Sequence, residues 1–295
     1  MTARLSRSTR DRADAATDAA LRALIDAAVA IDGQPPFNEA SLLEKTEVVF
    51  FERGGTLVGA AMTGAEVEFV VHPEQRRRGY GDEMLRALLV PGFTAWAHGD
   101  HPGARVLAER HGLERVRTLL QLRVGLDQQP PLVEPVETEP AETSAQGLGK
   151  IDQRIRIDTF RPGHDDEEWV ALNARAFASH PEQGRITIES LQPRIAENPA
   201  EHFLVGRDAQ GRMVGYCWLK IDGELGEIYV LGVDPDRAGQ GIGRVLLKAG
   251  LAHLKALGIR ESNLYVEADN EAALRLYRGF GYSEYTVDVL YATPR

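Results

Sequence analysis

The run Leu231-Gly232-Val233-Asp234-Pro235-Asp236-Arg237-Ala238-Gly239-Gln240-Gly241-Ile242-Gly243-Arg244 constrains this chain more than any other stretch. A β-type run stops at Asp234-Pro235, three glycines alternate with other residues, and a helical pattern starts at once. Such a turn can aim several backbone N–H groups at one point, at a helix N-terminus whose dipole favours an anion. That is a cradle for a pyrophosphate. The same layout occurs earlier, in His72-Pro73-Glu74-Gln75-Arg76-Arg77-Arg78-Gly79-Tyr80-Gly81. A strand–cradle–helix unit used twice implies two related units, and 295 residues suffice for two domains of ~150 each.

The segment between the repeats supports this division. Residues 127–150 are rich in Pro and Glu and lack apolar periodicity, as in an extended, self-repelling linker. The expected layout is an N-terminal domain over 1–128, a linker over 129–150 and a C-terminal domain over 151–295. In the last of these, strands are predicted at 154–160, 203–207, 213–221, 226–233, 262–267 and 282–291. Helices are predicted at 165–177, 187–197, 243–257 and 270–278, the third stopped by Gly258. The first half repeats the order, with strands at 48–51, 56–62, 66–71, 94–97 and 119–124 and helices at 81–89 and 104–111. The Ala-rich stretch 15–30 reads as an amphipathic helix, and no opening strand is evident before it. The fold class is α+β: two tandem units, each a mixed, mostly antiparallel sheet flanked by helices.

Composition narrows the partners. A net charge of −10 argues against nucleic acid or an anionic membrane. Cys217 is the single cysteine, so no disulfide framework is available, and the histidines lack metal-ligand spacing, so no metal is expected. No signal peptide or membrane span is evident, and a cytoplasmic monomer that binds a small-molecule amine is the expectation.

The glycine turn is not a P-loop, because no Lys-Ser/Thr follows Gly243, and a Pro precedes the glycines where a dinucleotide fingerprint would open a βαβ unit. Together with the later element Leu264-Tyr265-Val266-Glu267-Ala268-Asp269-Asn270-Glu271-Ala272-Ala273-Leu274-Arg275-Leu276-Tyr277, it resembles the GNAT acetyltransferase superfamily. The resemblance is strong over 150–295 and weaker over 40–125. Gly241 and Gly243 match its pyrophosphate motif; Ala238 departs at the first position, which removes a side chain but keeps the backbone donors.

The resemblance implies acetyl-CoA as co-substrate. In the C-terminal unit it implies contacts from Leu231, Gly232, Val233, Ala238, Gly239, Gln240, Gly241, Ile242, Gly243 and Arg244. Asn270, Glu271, Ala272, Ala273, Leu274 and Arg275 would follow along the later helix. In the N-terminal unit the corresponding residues are Phe69, Val70, Val71, Arg77, Arg78, Gly79, Tyr80, Gly81 and Asp82. The segments 173–184, 216–220 and 226–233 narrow the resemblance to a tandem-domain branch. That branch acetylates the cysteinyl amine of a cysteine–glucosamine–inositol conjugate. Other GNAT amine acetyltransferases, acting on an aminoglycoside, a polyamine or a protein N-terminus, and a non-catalytic acetyl-CoA-binding regulatory module stay open.

By the same resemblance Glu227 is the general base, acting directly or through water, and Tyr277 protonates the departing thiolate. Glu39, Glu182, Lys220, Glu227 and Tyr265 contact the amine substrate. From the residues alone, Glu227 could equally be a solvated strand-end carboxylate and Tyr277 a core tyrosine. Strand alternation puts Glu227 on the face of Tyr229, Leu231 and Val233. Cys217 sits in an apolar run and reads as a small core residue. Arg76-Arg77-Arg78 reads as charge beside a phosphate. Aligning the repeats puts Ala65 opposite Glu227, Ala108 opposite Tyr277 and His101 opposite Asn270, with Glu66 one step away. The N-terminal unit is therefore expected to be catalytically silent. Asp82 and Glu83, just behind its cradle, would repel a pyrophosphate.

Overall fold

The computed structural model describes residues 5–38, 41–42, 47–127, 155–178 and 183–294. By internal contact the chain forms two compact units. One comprises Met1–Leu120, Glu267–Asp269 and Thr286–Arg295; the other comprises Gln121–Val266 and Asn270–Tyr285. The end of the chain thus belongs to the first unit.

The first unit opens with β1 (Ser6–Asp11) and α1 (Ala15–Asp32), followed by β2 (Glu47–Arg53), β3 (Thr56–Met62) and β4 (Glu68–Val71). These strands form an antiparallel sheet in the order β1-β2-β3-β4. Strand β1 is not evident in the sequence because Ser6-Arg7-Ser8-Thr9-Arg10-Asp11 is wholly polar, a composition tolerable only at a sheet edge. Asp14 caps α1 by accepting from the Thr17 amide, and Gly33 closes it in the left-handed region. Leu21, Leu24 and Ala28 of α1 pack on Val48, Phe50, Ala60, Met62 and Val70. The opposite sheet face packs on α2 (Tyr80–Leu88) through Phe51, Met84 and Leu85. Then come β5 (Thr94–Ala97), α3 (Pro102–His111) and the start of β6 (Glu114–Gly125). The end of β12 (Ser283–Ala292) pairs antiparallel with β5, Val289 against Ala97.

The second unit contains β7 (Arg156–Thr159), α4 (Asp166–Ala176), α5 (Ile188–Glu197), β8 (Phe203–Arg207), β9 (Met213–Asp222) and β10 (Leu225–Val233). Next are α6 (Ile242–Ala256), β11 (Glu261–Glu267) and α7 (Glu271–Arg278). Strands β7 to β10 are antiparallel neighbours, and β10 pairs with β11 in parallel. One face carries the α4–α5 core of Phe160, Trp169, Leu172, Phe203, Tyr216 and Trp218. The other carries α6, whose Leu246, Leu247, Leu251 and Leu254 are fully buried. Helix and sheet touch through glycines: a Cβ on Gly226 would lie 2.6 Å from Leu254, and one on Gly250 would lie 2.9 Å from Cys217 Sγ. Cys217 is buried, and burial pushes its thiol up to about 12, so it is a core residue.

Strand β10 carries two irregularities. Its register with β9 shifts between Ile228 and Val230, a bulge at Tyr229. Its parallel pairing with β11 runs only from Leu225↔Glu261 to Glu227↔Asn263, although both strands continue. Beyond Glu227 the two strands are no longer paired, and the cradle comes directly after the end of β10.

Candidate active site

The cradle of the second unit is made by backbone conformation. A 3₁₀ turn, Pro235–Arg237, starts with Asp234 accepting from the Asp236 amide. Gly239 and Gly241 then sit at φ +75° and +80°, positions from which a Cβ is disfavoured. Gly241 is the N-cap of α6 without any side-chain cap, so the first-turn amides, Ile242 and Gly243 among them, have no intrahelical acceptor. A Cβ on Gly243 would already reach Leu276 at 3.4 Å. No acidic residue lies in the first turn of α6. Ala238 to Gly241 and Arg244 face solvent, and the Arg244 guanidinium lies 5.1 Å from the Phe280 ring centre. Exposed amides, a positive helix end and no competing carboxylate fit a diphosphate.

The first unit reproduces this geometry with different charges. His72 Nδ1 accepts from the Glu74 amide as Asp234 does from Asp236. Gly79 takes φ +88° as N-cap of α2, and Arg77 takes φ +64° where the second unit has Gly239. Asp82 stands where the second unit has Arg244, and is held below the usual carboxylate range chiefly by the hydrogen bond from His111 at 2.7 Å. Arg76 is not turned to the cradle: it makes a two-pronged pair with Asp32 at 2.6 and 2.7 Å. That corrects the reading of the whole Arg76-Arg77-Arg78 run as phosphate-adjacent charge. Phe69 and Val71 pack with the α2 core, and Val70 faces α1.

The bulge also corrects the strand-alternation reading of β10. Gly226 and Ile228 face α6, while Tyr229 and Val230 both pack against the α4–α5 core. Leu231 and Val233 then approach Gly243, on the α6 side. Glu227 therefore lies on the α4–α5 face and not with Leu231 and Val233. Its register partner on β9 is Lys220, and on β11 it is Asn263. Register partners share a face, so Lys220, Glu227 and Asn263 stand together, with Tyr265 two positions along and 47% exposed. Nearby, Arg194 of α5 donates to the Tyr229 hydroxyl at 3.0 Å.

Tyr277 of α7 is buried and packs on Tyr282 with ring centres 5.8 Å apart. Burial raises its phenol well above the ordinary range, so it stays protonated at any working pH. Asn270 caps α7 through Oδ1, which accepts from the Ala273 amide; His101 caps α3 in the same way through Nδ1. Glu271 pairs with Arg275 on the exposed side of α7, and Leu274 is buried.

Glu39 and Glu182 lie outside the described residues. The neighbour of Glu182 is anchored by a buried network with no clear motif in the sequence. The Tyr216 hydroxyl donates to Asn173 Oδ1 at 2.6 Å, Asn173 Nδ2 donates to the Gln183 carbonyl at 2.6 Å, and Gln183 Nε2 donates back to Asn173 Oδ1 at 3.3 Å. The one available signal is a polar Asn173 on the core stripe of α4. Among the described residues no group of three or more His, Cys, Asp or Glu could hold a metal, and no helix is long and apolar enough to cross a membrane.

Comparison with known proteins places this geometry in a family. The Acetyltransferase (GNAT) family matches residues 166–282. The mycothiol acetyltransferase of Clavibacter michiganensis subsp. michiganensis is 46% identical over 286 residues, which span 90% of this chain and 88% of that protein. The chain belongs to the mycothiol acetyltransferase family. It is accordingly an acyltransferase. The mycothiol acetyltransferase of Thermomonospora curvata is 41% identical, covering 92% of each chain. Among solved structures, a GCN5-related N-acetyltransferase from Sphaerobacter thermophilus superposes with a TM-score of 0.74 at 23% identity, covering 97% of this chain and 95% of its own. A tandem GNAT protein from the clavulanic acid biosynthesis pathway gives 0.70 at 15% identity, covering 98% of both. At such identities these two establish the α+β tandem fold.

Proposed function

We propose that the protein transfers the acetyl group of acetyl-CoA to the cysteinyl amine of cysteinyl-glucosaminyl-inositol, the last step in making mycothiol. Family membership supports the reaction class, and the parting of β10 from β11 just past Glu227 is the observation that carries the site. A cofactor whose diphosphate rests on the Gly239–Gly243 amides can lead its pantetheine arm to the strand gap, where Glu227 stands. Acetyl-CoA, when bound there, supplies a thioester carbonyl for attack. Positioning of amine and thioester supplies much of the rate.

The amine must reach that carbonyl as the free base. An α-amine titrates at ~7.7–8.0, so a carboxylate such as Glu227, directly or through water, suffices to take its proton. The protonated phenol of Tyr277 gives a proton to the leaving thiolate. Lys220, Tyr265 and Glu182 are proposed to hold the polyol part of the substrate. A substrate pair of this kind fits a cytoplasmic enzyme, and two fused units fit a monomer.

The first unit is proposed to be catalytically silent. In the aligned repeats Ala65 and Ala108 fall opposite Glu227 and Tyr277. Glu66 accepts from Trp96 Nε1, and Glu68 is bound to His98 at 2.7 Å. The test is release of free CoA from acetyl-CoA by the purified protein with cysteinyl-glucosaminyl-inositol. Turnover with this amine is expected. Turnover only with an aminoglycoside, polyamine or peptide amine, or none at all, would overturn the substrate assignment.

A further inference from the structure

We propose that Asn263 orients the attacking amine: its carboxamide oxygen accepts a hydrogen bond from one N–H of the amine that Glu227 deprotonates. The inference rests on the functional reading above and adds a residue to it.

Asn263 is 3% exposed, and its Oδ1 has no hydrogen-bond partner among the described residues. A buried acceptor left unmatched is costly, and such atoms call for an explanation when they persist. The position of this one supplies it. Asn263 is the register partner of Glu227 on the last paired rung of β10 and β11, where the strands begin to part. Its neighbour Ser262 turns to the other face, to the Tyr282 hydroxyl at 2.7 Å. Asn263 therefore shares the face of Glu227 and Lys220.

The chemistry of the amine matches an acceptor at this point. A neutral primary amine has two N–H groups and one lone pair. With one N–H on Asn263 Oδ1 and the other toward Glu227 or its water, the lone pair is left to aim at the thioester carbonyl. As the C–N bond forms and the C–S bond breaks, the amine proton goes to the Glu227 side and the thiolate takes its proton from Tyr277. A carbonyl oxygen accepts from amine N–H throughout, whereas a second general base there would compete with Glu227.

Two variants of the full chain test this, with cysteinyl-glucosaminyl-inositol as the amine. Asn263→Leu keeps the branched outline and removes the acceptor; its KM for the amine should rise about tenfold or more, with acetyl-CoA affinity unchanged. Asn263→Gln keeps a neutral carboxamide oxygen on the same face and should hold the amine KM within about threefold of wild type. A folded Asn263→Leu protein with wild-type amine KM overturns the proposal. Should that variant fail to bind acetyl-CoA through misfolding, Asn263→Gln decides: an amine KM raised as far as expected for the Leu variant overturns it as well. Wild-type protein active only on another amine would instead overturn the substrate assignment, and the same KM comparison would then be made with that amine.

Discussion

Lys220 on β9 stands directly across from Glu227 on β10, on the sheet face that carries the α4–α5 core. Glu227 is the proposed base of the transfer. Glu227→Gln should therefore lower turnover by about a hundredfold near neutral pH, the scale of one acid–base group. The loss should shrink as pH rises above the amine's own ~7.7–8.0 and the amine deprotonates itself. A pH–rate profile checks this; a deficit that stays constant across pH would assign Glu227 to binding.

Tyr277 is buried and burial raises its phenol, so it is held in the protonated form; its proposed part is to give that proton to the leaving thiolate. Tyr277→Phe should lower kcat by about tenfold to a hundredfold with acetyl-CoA affinity unchanged. Full activity in that variant would remove the assignment, and lost acetyl-CoA affinity would make Tyr277 a packing residue.

Much of the fold is legible in the sequence because periodicity and turn chemistry coincide. The strand–cradle–helix order is present in both units, and the two caps, Asn270 and His101, hold their helices in the same way. The features that escape a sequence reading depend on partners distant along the chain. Strand β1 has no apolar face to betray it. The bulge at Tyr229 leaves no mark in composition, yet it separates Glu227 from Leu231 and Val233. Arg76 is, in sequence, one of three arginines beside a cradle; its partner Asp32, at the end of α1, turns it away. The pairing of the last strand with β5 is equally hidden, since both are short alternating runs. Asn263 carries no sequence signal because an Asn in a strand names no reaction; that its oxygen is buried and unmatched emerges only from the fold.

The first unit contains a buried ion cluster that gives it a pH signature. His98 Nε2 lies 2.7 Å from Glu68 Oε1 and its Nδ1 lies 3.0 Å from Asp288 Oδ2. Burial opposes its charge, but the two carboxylates prevail and raise the imidazole from 6.5 to about 9. A raised cation contributes stability that is complete below its unfolded value and is lost as pH climbs through the folded one. Thermal unfolding should therefore show stability falling between about pH 6.5 and about pH 9.

His98→Gln should flatten that slope and cost about 3–5 kcal/mol at neutral pH, since it leaves buried carboxylates uncompensated. A variant as stable as wild type, with the slope intact, would show that the cluster does not hold the fold.

The most direct measurement is calorimetric titration of acetyl-CoA into the full chain and into Gly241→Val, with CoA release followed in parallel. Gly241 lies at φ +80° at the mouth of α6, where a β-branched residue cannot sit without moving the amides. The account predicts that Gly241→Val loses a binding event and all turnover, while Gly79→Val at the matching place in the first unit keeps turnover. A Gly241→Val protein that binds acetyl-CoA and releases CoA like wild type would contradict the claim that the second cradle feeds the reaction.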